Sequence, residues 1–314
     1  MAGRFFAFYK RLQIKHYIKN PVLLWLTRII AVFVIYIFLL ETNFLWLTGF
    51  MPGRAALSNP EVAIASEIYT ADSIPLGKFF KENRTPIALS DVSPLLVKAL
   101  ICTEDIRFYD HHGFDMLSFF GSVASTVQGD ERGGSTLTQQ LAKNMFRTRA
   151  ASSQGLLGKI PVVRTIIYKT KEWIMAFKLE LFYSKDEILE MYLNTVEFGI
   201  NWYGIKVASY HYFNKAPSQL NLQESALLAG LLKATTTYNP FRNPDNAISR
   251  RNIVLNQMEK YKVISSFVAD SVSRSDLKLF APNDEESGDD NYIRRYAESE
   301  MKKWCADNNY NLYE

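Results

Sequence analysis

Between Pro21 and Leu40 the chain holds a single charge, Arg28, and from Ile29 to Leu40 it holds none. A helix rises ~1.5 Å per residue, so about 20 apolar residues cross the hydrocarbon core of a bilayer. No other feature limits the fold as strongly, because whatever follows this segment folds tethered to a membrane. Arg28 can snorkel to the interface at the N-terminal end. Ahead of Glu41 there is no acid, while Arg4, Lys10, Arg11, Lys15, Lys19 and Arg28 are basic. That bias predicts a cytoplasmic N-terminus, with Glu41 onward outside the cytoplasm. The rival is a cleaved signal peptide. The long segment, the basic region near its start and the missing Ala-x-Ala site directly after it argue against that rival. Phe44, Leu45, Trp46, Leu47 and Phe50 either extend the helix or lie along the interface.

A chain of 314 residues leaves room beyond the anchor for one sizeable domain or two small ones. Its net charge of +4 is unevenly spread. Basic residues crowd the start, and Asp284, Glu285, Glu286, Asp289 and Asp290 form an acidic stretch near the other end. Nothing in that pattern resembles a basic groove for nucleic acid. Cys102 and Cys305 make no disulfide framework, and Cys102 reads as a small buried residue. His16, His111, His112 and His211 are too scattered for zinc spacing.

The pattern divides the chain into five stretches. They are a basic cytoplasmic tail (1–20), a transmembrane anchor with its interface (21–50), a proline-punctuated, turn-rich link (51–87), a helical domain (88–262), and an acidic linker with a C-terminal amphipathic segment (263–314). Ser93-Pro94 marks the first helix start of the domain, with serine as cap and proline in the first turn. Leu95, Leu96, Ala99, Leu100 and Thr103 follow at helical spacing. Ser184-Lys-Asp-Glu187 and Asn221-Leu-Gln-Glu224 are capping boxes ahead of apolar runs. Further helices are expected from Asn246 to about Tyr261 and from Tyr292 to Trp304. Alternating strand patterns are scarce, so 88–262 reads as mainly α.

Three polar strings break into these apolar faces: Thr103 to Gly113, Gly133 to Asn144, and Lys169-Thr-Lys-Glu172. Polar groups buried without partners cost folding energy, so such strings line polar clefts. Their residue types suit sugar and phosphate chemistry, with a carboxylate to take a proton and a lysine to hold negative charge. On a continuous helix Glu104, Phe108 and His111 share one face, and Asp105, turned about 100° away, hydrogen-bonds inside the domain. The bland alternative is a surface acid on an amphipathic helix. Thr136, Gln140 and Lys143 follow i, i+4, i+7, with Ser135 and Gln139 beside them, on a face too polar to pack. Gly133-Gly134 leaves backbone N–H groups at a helix start for a phosphate, or is a flexible loop. Glu172 and Lys169 share a face with Ala176 and Leu179, and the small Ala176 leaves room for a bulky sugar. Taken alone, Glu172 reads as half of a solvated ion pair with a neighbouring lysine.

Together these residues carry a resemblance. Glu104-Asp-x-x-Phe108-x-x-His111-x-Gly113 resembles the first motif of the family 51 peptidoglycan glycosyltransferases. Gly133-Gly-Ser-Thr-x-Thr-Gln-Gln-x-x-Lys143-Asn144 is similar to their second motif throughout. Lys169-x-x-Glu172-x-x-x-Ala176-x-x-Leu179-Glu180 resembles the third. Lys185-x-x-Ile188-Leu-x-x-Tyr192-Leu-Asn194, with Gly199 following, is similar to the fourth, and Arg250-Arg251-x-x-Val254-Leu255-x-x-Met258 to the fifth. All five occur in order.

The resemblance implies a mainly α, lysozyme-like glycosyltransferase domain behind a single N-terminal transmembrane helix, on the outer face of the bacterial cytoplasmic membrane. It implies polymerisation of lipid II into glycan strands. By position, Glu104 is the general base that takes the proton from the acceptor's 4-hydroxyl. That oxygen then attacks C1 of the donor's N-acetylmuramic acid, and undecaprenyl pyrophosphate leaves with inversion. Glu172 assists at the pyrophosphate side, directly or through a divalent cation such as magnesium or manganese, although no cofactor is required. Lys143, Thr136 and Gln140 hold the diphosphate and sugars. Asp105, Phe108 and His111 of the first string, Ser135, Gln139 and Asn144 of the second, and Lys169 complete the implied binding set. Implied partners are lipid II, the growing glycan strand, membrane lipid, and transpeptidases or other wall-synthesis proteins. The stretch from Asn144 to Pro161 is expected to dip into the bilayer surface through Phe146, Leu156, Leu157 and Ile160, with Lys159 and nearby arginines at the headgroups.

Two departures stand out. Tyr168 occupies the place of the arginine that often opens the third motif, and Arg164 or Lys171 is the candidate replacement on the phosphate. The tail Tyr292 to Glu314 resembles the segment leading into the penicillin-binding domain of bifunctional class A proteins. No Ser-x-x-Lys string with supporting motifs follows it here, so no transpeptidase activity is expected of these residues. The rival function is a glycan-cleaving lysozyme or lytic transglycosylase, which also uses a glutamate in a cleft. It has no need of a phosphate-holding lysine. A catalytically silent scaffold has no need of Glu104 or Lys143.

Overall fold

A computed structural model describes residues 20–60, 66–69, 72, 75–79, 85–127, 133–199, 202–280, 290–308 and 310. The basic tail from Arg4 to Lys19, His16 within it, and the acidic residues Asp284, Glu285, Glu286 and Asp289 lie outside the described residues. The order begins with helices α1 (Pro21–Glu41) and α2 (Arg54–Ser58), then strands β1 (Ser66–Tyr69) and β2 (Pro75–Phe79). Next come α3 (Pro94–Glu104), α4 (Met116–Val127), α5 (Leu137–Met145), α6 (Pro161–Phe182) and α7 (Lys185–Thr195). The series ends with α8 (Ile205–Phe213), α9 (Leu222–Leu231), α10 (Pro244–Lys260), α11 (Ser266–Ser273) and α12 (Asp290–Asp307). The molecule is mainly helical, as its sequence patterns require. The link after the anchor is more regular than a run of turns, because β1 and β2 pair antiparallel with Glu67 opposite Lys78.

The chain forms two compact units, and their boundary differs from the sequence-based division. The first unit joins the chain up to Pro52 with Thr148–Lys171; the second holds Gly53–Arg147 and Glu172 onward. Thus 148–171 clusters with the anchor segment rather than with the remainder of 88–262.

In the first unit Asn20 caps α1 by accepting the Val22 N–H at 2.9 Å, and α1 is long and apolar enough to cross a membrane. Most of its side chains are exposed; Leu40 is buried, and the half-buried Tyr36 donates its hydroxyl to Thr170 Oγ1 at 3.1 Å. A helix apolar all round, with every backbone bond made internally, is the form a bilayer accepts. It does not extend through Phe50. Asn43, Leu45 and Trp46 take left-handed φ values of 50°, 48° and 57°, a conformation that bulky side chains rarely adopt and that stops helix propagation. The Leu47 carbonyl then accepts the Leu157 N–H at 2.9 Å. Gly49 and Gly155 meet backbone to backbone; a Cβ on Gly49 would strike the Ser153 carbonyl, and one on Gly155 the Gly49 nitrogen. Lys171 closes this packing. It is 1% exposed, and its ammonium donates to the Thr48 and Phe50 carbonyls at 2.8 and 2.7 Å. Burial pushes that amine down to about 8. Lys171 is therefore a staple inside the first unit and not a free cation for phosphate, whereas Arg164 is exposed.

The core of the second unit gathers α3, α9 and α10 around Ala99, Cys102, Ala226, Ala229, Val254, Leu255 and Met258. α9 is buried at every position from Glu224 to Leu231, as befits a central helix. Both expected capping boxes form, at Ser184/Glu187 and Asn221/Glu224. Ser93 behaves differently: it is buried, and its hydroxyl donates to the Leu220 carbonyl at 2.8 Å instead of capping α3. Cys102 and Cys305 are both buried free thiols. α11, capped by Ser265, forms where the sequence pattern fades after Val263.

Candidate active site

α3 stops at Glu104, because Asp105 takes a non-helical conformation (φ −157°, ψ 74°). The chain then turns through to Gly113, which sits at φ +78°. Glu104, Phe108 and His111 therefore do not share a helix face as the spacing suggested. Asp105 leaves the helix because its carboxylate has better partners elsewhere. It is buried, accepts the Leu137 N–H at 2.9 Å and meets His111 Nε2 at 3.0 Å. Phe108 is fully buried, with the Lys185 ammonium 4.5 Å from its ring centre.

The second string supplies a capped helix. Thr136 is the N-cap of α5 and accepts the Gln139 N–H at 3.2 Å. Two of the N–H groups expected to greet a phosphate there are thus already taken, by Asp105 and by Thr136. The Thr136 hydroxyl and the Gln139 amide also donate to the Gly113 carbonyl, at 2.8 and 3.0 Å. A Cβ on Gly113 would lie 2.7 Å from the Ala176 carbonyl carbon. The space beside Ala176 is filled by this loop and is not left open for a sugar. Asp105, Phe108, Thr136 and Gln139 consequently position the loop and helix instead of presenting themselves to a ligand. Beneath them Glu180 accepts from the Thr138 hydroxyl at 2.6 Å and pairs with Lys185 at 2.7 Å. The His111 Nδ1, which has no hydrogen bond, lies 4.0 Å from the same carboxylate.

Glu104 sits at the exit of this framework. Its Oε2 accepts the Gln140 amide N–H at 2.9 Å. Its Oε1 lies 3.9 Å from an Arg250 guanidinium nitrogen, with the two side chains 16% and 13% exposed. One ionised carboxylate offers about four lone-pair positions. A single hydrogen bond leaves acceptor capacity for the proton of an incoming hydroxyl. Tyr192, buried on α7, donates to Gln140 Oε1 at 3.2 Å. Arg250 reaches the site because α9 and α10 pack tightly. Gly230 lets the arginine stem approach to within 3.1 Å of where a Cβ would be, and its carbonyl faces the Arg250 Nε at 3.4 Å. The neighbouring Arg251 turns inward, fully buried, and donates to the Ser275 and Ser273 carbonyls at 2.8 Å each.

Arg250 and Tyr192 lie inside the sequence motifs, which by themselves assign neither a role. The Arg-Arg pair was the available signal for the first, since two adjacent arginines on a helix face different sides. Lys143 is half-buried on α5, one turn beyond Gln140 and on the same face. Ser135 lies just ahead of that helix and Asn144 in its last turn, both half-buried. Glu172 is 1% exposed and is not an unpaired charge, so it is no solvated surface acid. Lys169 lies on the part of α6 that belongs to the first unit. Among the described residues no three His, Cys, Asp or Glu groups converge as a metal cage.

The site is a carboxylate held by an amide and approached by a guanidinium in a mainly helical chain, and comparison with known proteins gives its family. The family model described as Transglycosylase matches residues 72–259. The chain belongs to that family. It is 40% identical over 210 residues to penicillin-binding protein 1A of Escherichia coli (strain K12), covering 66% of this chain and 23% of that protein. It is 37% identical over 242 residues to penicillin-binding protein 1F of Bacillus subtilis (strain 168), covering 74% of this chain and 32% of that one. A crystal structure of penicillin-binding protein 1A from Haemophilus influenzae aligns with 77% of this chain and 25% of its own, at 23% identity and a TM-score of 0.43. The chain thus spans about a fifth to a third of the length of the relatives it matches. Family membership does not favour the lysozyme-like hydrolase, and one N-terminal apolar helix fits a membrane-anchored protein.

Proposed function

We propose that this chain is a peptidoglycan glycosyltransferase that polymerises lipid II into β-1,4 glycan strands with inversion and release of undecaprenyl pyrophosphate. The observation that carries the reading is the Glu104 carboxylate, shielded, oriented by Gln140 and still able to accept a proton. In the reaction Glu104 removes the proton from the acceptor's 4-hydroxyl as that oxygen bonds to C1 of the donor sugar and the C1–O bond to pyrophosphate breaks. Lys143, facing the same way as Gln140 on α5, steadies the diphosphate as it gains charge. A fixed cation aimed at that developing charge lowers the barrier more than it tightens ground-state binding. Glu172, buried on α6, acts from the pyrophosphate side. A divalent cation remains compatible with Glu172 and substrate phosphates, since magnesium commonly uses one or two carboxylates. None of the steps assigned to these residues passes through it.

The same reading places α1 across the bacterial cytoplasmic membrane, with the N-terminus inside and the catalytic domain outside. The first unit favours lipid contact: Leu156, Leu157, Ile160, Val162 and Ile166 are all exposed there, with Lys159 and Arg164 among them for headgroups. Phe146 belongs to the second unit and is half-buried. Transpeptidases and other wall-synthesis proteins are the expected partners.

The test is incubation of the purified 314-residue chain with lipid II and, separately, with purified sacculus, each with and without a divalent cation. Polymer from lipid II is expected; soluble muropeptides from sacculus would install the glycan-cleaving rival instead. Glu104→Gln should lower turnover by about 10²-fold or more, the usual worth of a general base, while substrate binding holds. Retention of a tenth of the activity would remove Glu104 from that role. Lys143→Ala should reduce kcat/KM about 10²-fold, and an unchanged value excludes the lysine from the transition state.

A further inference from the structure

We infer that Tyr192 is a positioning residue for Glu104, acting through its hydroxyl on the Gln140 side chain so that the amide N–H, and not the amide oxygen, meets the carboxylate. The inference rests on the reading of Glu104 as general base. A glutamine amide has a donor end and an acceptor end of nearly equal shape, and its last torsion is broad. Left to itself, Gln140 could turn its oxygen toward Glu104 and set two acceptors against each other. Its partners decide the matter. Glu104 Oε2 stands 2.9 Å from Gln140 Nε2, and an ionised carboxylate only accepts. That consigns Oε1 to Tyr192 at 3.2 Å, and a phenol facing a carbonyl oxygen has to donate.

Two further features make Tyr192 suited to the task. Its ring is 1% exposed, between α7 neighbours Ile188, Leu189 and Leu193 that are themselves buried, so the hydroxyl cannot swing away. Burial first, and the Glu104 charge second, push its phenol well above the ordinary tyrosine range, so it remains a donor at any working pH. Arg250 approaches the other carboxylate oxygen at 3.9 Å. Glu104 is thus framed from three helices: α5 through Gln140, with α7 behind it, and α10. Productive transfer needs the base within a narrow range of angles, and Tyr192 narrows that range without touching substrate.

A double-mutant cycle in the lipid II polymerisation assay tests this. Tyr192→Phe keeps the ring and removes one oxygen; kcat should fall about tenfold with KM held within about twofold. In a Gln140→Ala background, where no amide is left to orient, Tyr192→Phe should cost less than about twofold. Gln140→Ala alone leaves the Tyr192 ring in place and should show the same split, with kcat lowered and KM held. An unchanged kcat in Tyr192→Phe overturns the inference. So does an equal loss in both backgrounds, which marks a merely structural role, or a Gln140→Ala defect confined to KM. A wild-type chain that makes no polymer sinks the base assignment and this inference with it. An active wild type with an uncoupled cycle sinks the inference alone.

Discussion

Residue identity settles less than residue company. Lys171 and Lys143 are both lysines in polar strings, yet one is sealed against two carbonyls and the other faces the side of α5 that carries Gln140. The difference has a measurable sign. Burial holds the Lys171 amine at about 8 against an ordinary 10.5, so the folded state gives up this proton before the unfolded state does. Between about pH 8 and 10.5 the unfolded chain binds more protons, and stability therefore rises with pH over that window. Thermal unfolding followed across it should show a gain for the wild type that Lys171→Met lacks. A parallel response in the two proteins would count against a buried ammonium. The same contrast separates Arg250, which reaches Glu104, from Arg251, which turns inward to the Ser273 and Ser275 carbonyls and the Asn252 side-chain oxygen.

The geometry around Glu104 is made at the ends of secondary-structure elements. α3 ends at Glu104 because Asp105 is drawn out of the helix to cap α5, and α5 begins at Thr136 because that hydroxyl also grips the loop at Gly113. The loop can lie on α6 only where residue 113 lacks a side chain. Its φ of +78° and the 2.7 Å approach to the Ala176 backbone both exclude a Cβ. Gly113→Ala should therefore destabilise the domain by about 1–3 kcal/mol from backbone strain alone, with a further penalty for the contact with α6. The midpoint of thermal unfolding should fall by several degrees, and activity should fall with it. A variant of wild-type stability would show that the loop is not seated as described. How far this was legible beforehand varies by element. The capping boxes at Ser184 and Asn221 were readable, since both partners lie within one turn. The break after Glu104 was not, because the group that ends α3 is a backbone N–H more than thirty residues away.

For the whole molecule, both proposed substrates are lipids, so the enzyme searches in two dimensions and its orientation on the bilayer matters as much as its affinity for substrate. The first unit carries α1 and, on 148–171, a bare apolar surface. A chain lacking residues 1–42 should still bind vesicles, and charge reversal at Lys159 and Arg164 should weaken that binding on anionic vesicles more than on neutral ones. Loss of all vesicle binding on removal of α1 alone would leave 148–171 without a membrane role. Sedimentation with vesicles of each composition reads both outcomes.

The sequence by itself determined the anchor helix, the mainly helical domain and the family, because hydrophobic period, capping pairs and ordered motifs are local patterns that survive without a fold. Only the tertiary structure decided which polar residues face the site and which serve the scaffold. Thr136, Gln139, Asp105 and Lys171 carry the same chemistry whether exposed or buried. Their roles follow from partners brought in from elsewhere in the chain: Thr48 and Phe50 for Lys171, Gly113 for Thr136 and Gln139, and Leu137 for Asp105.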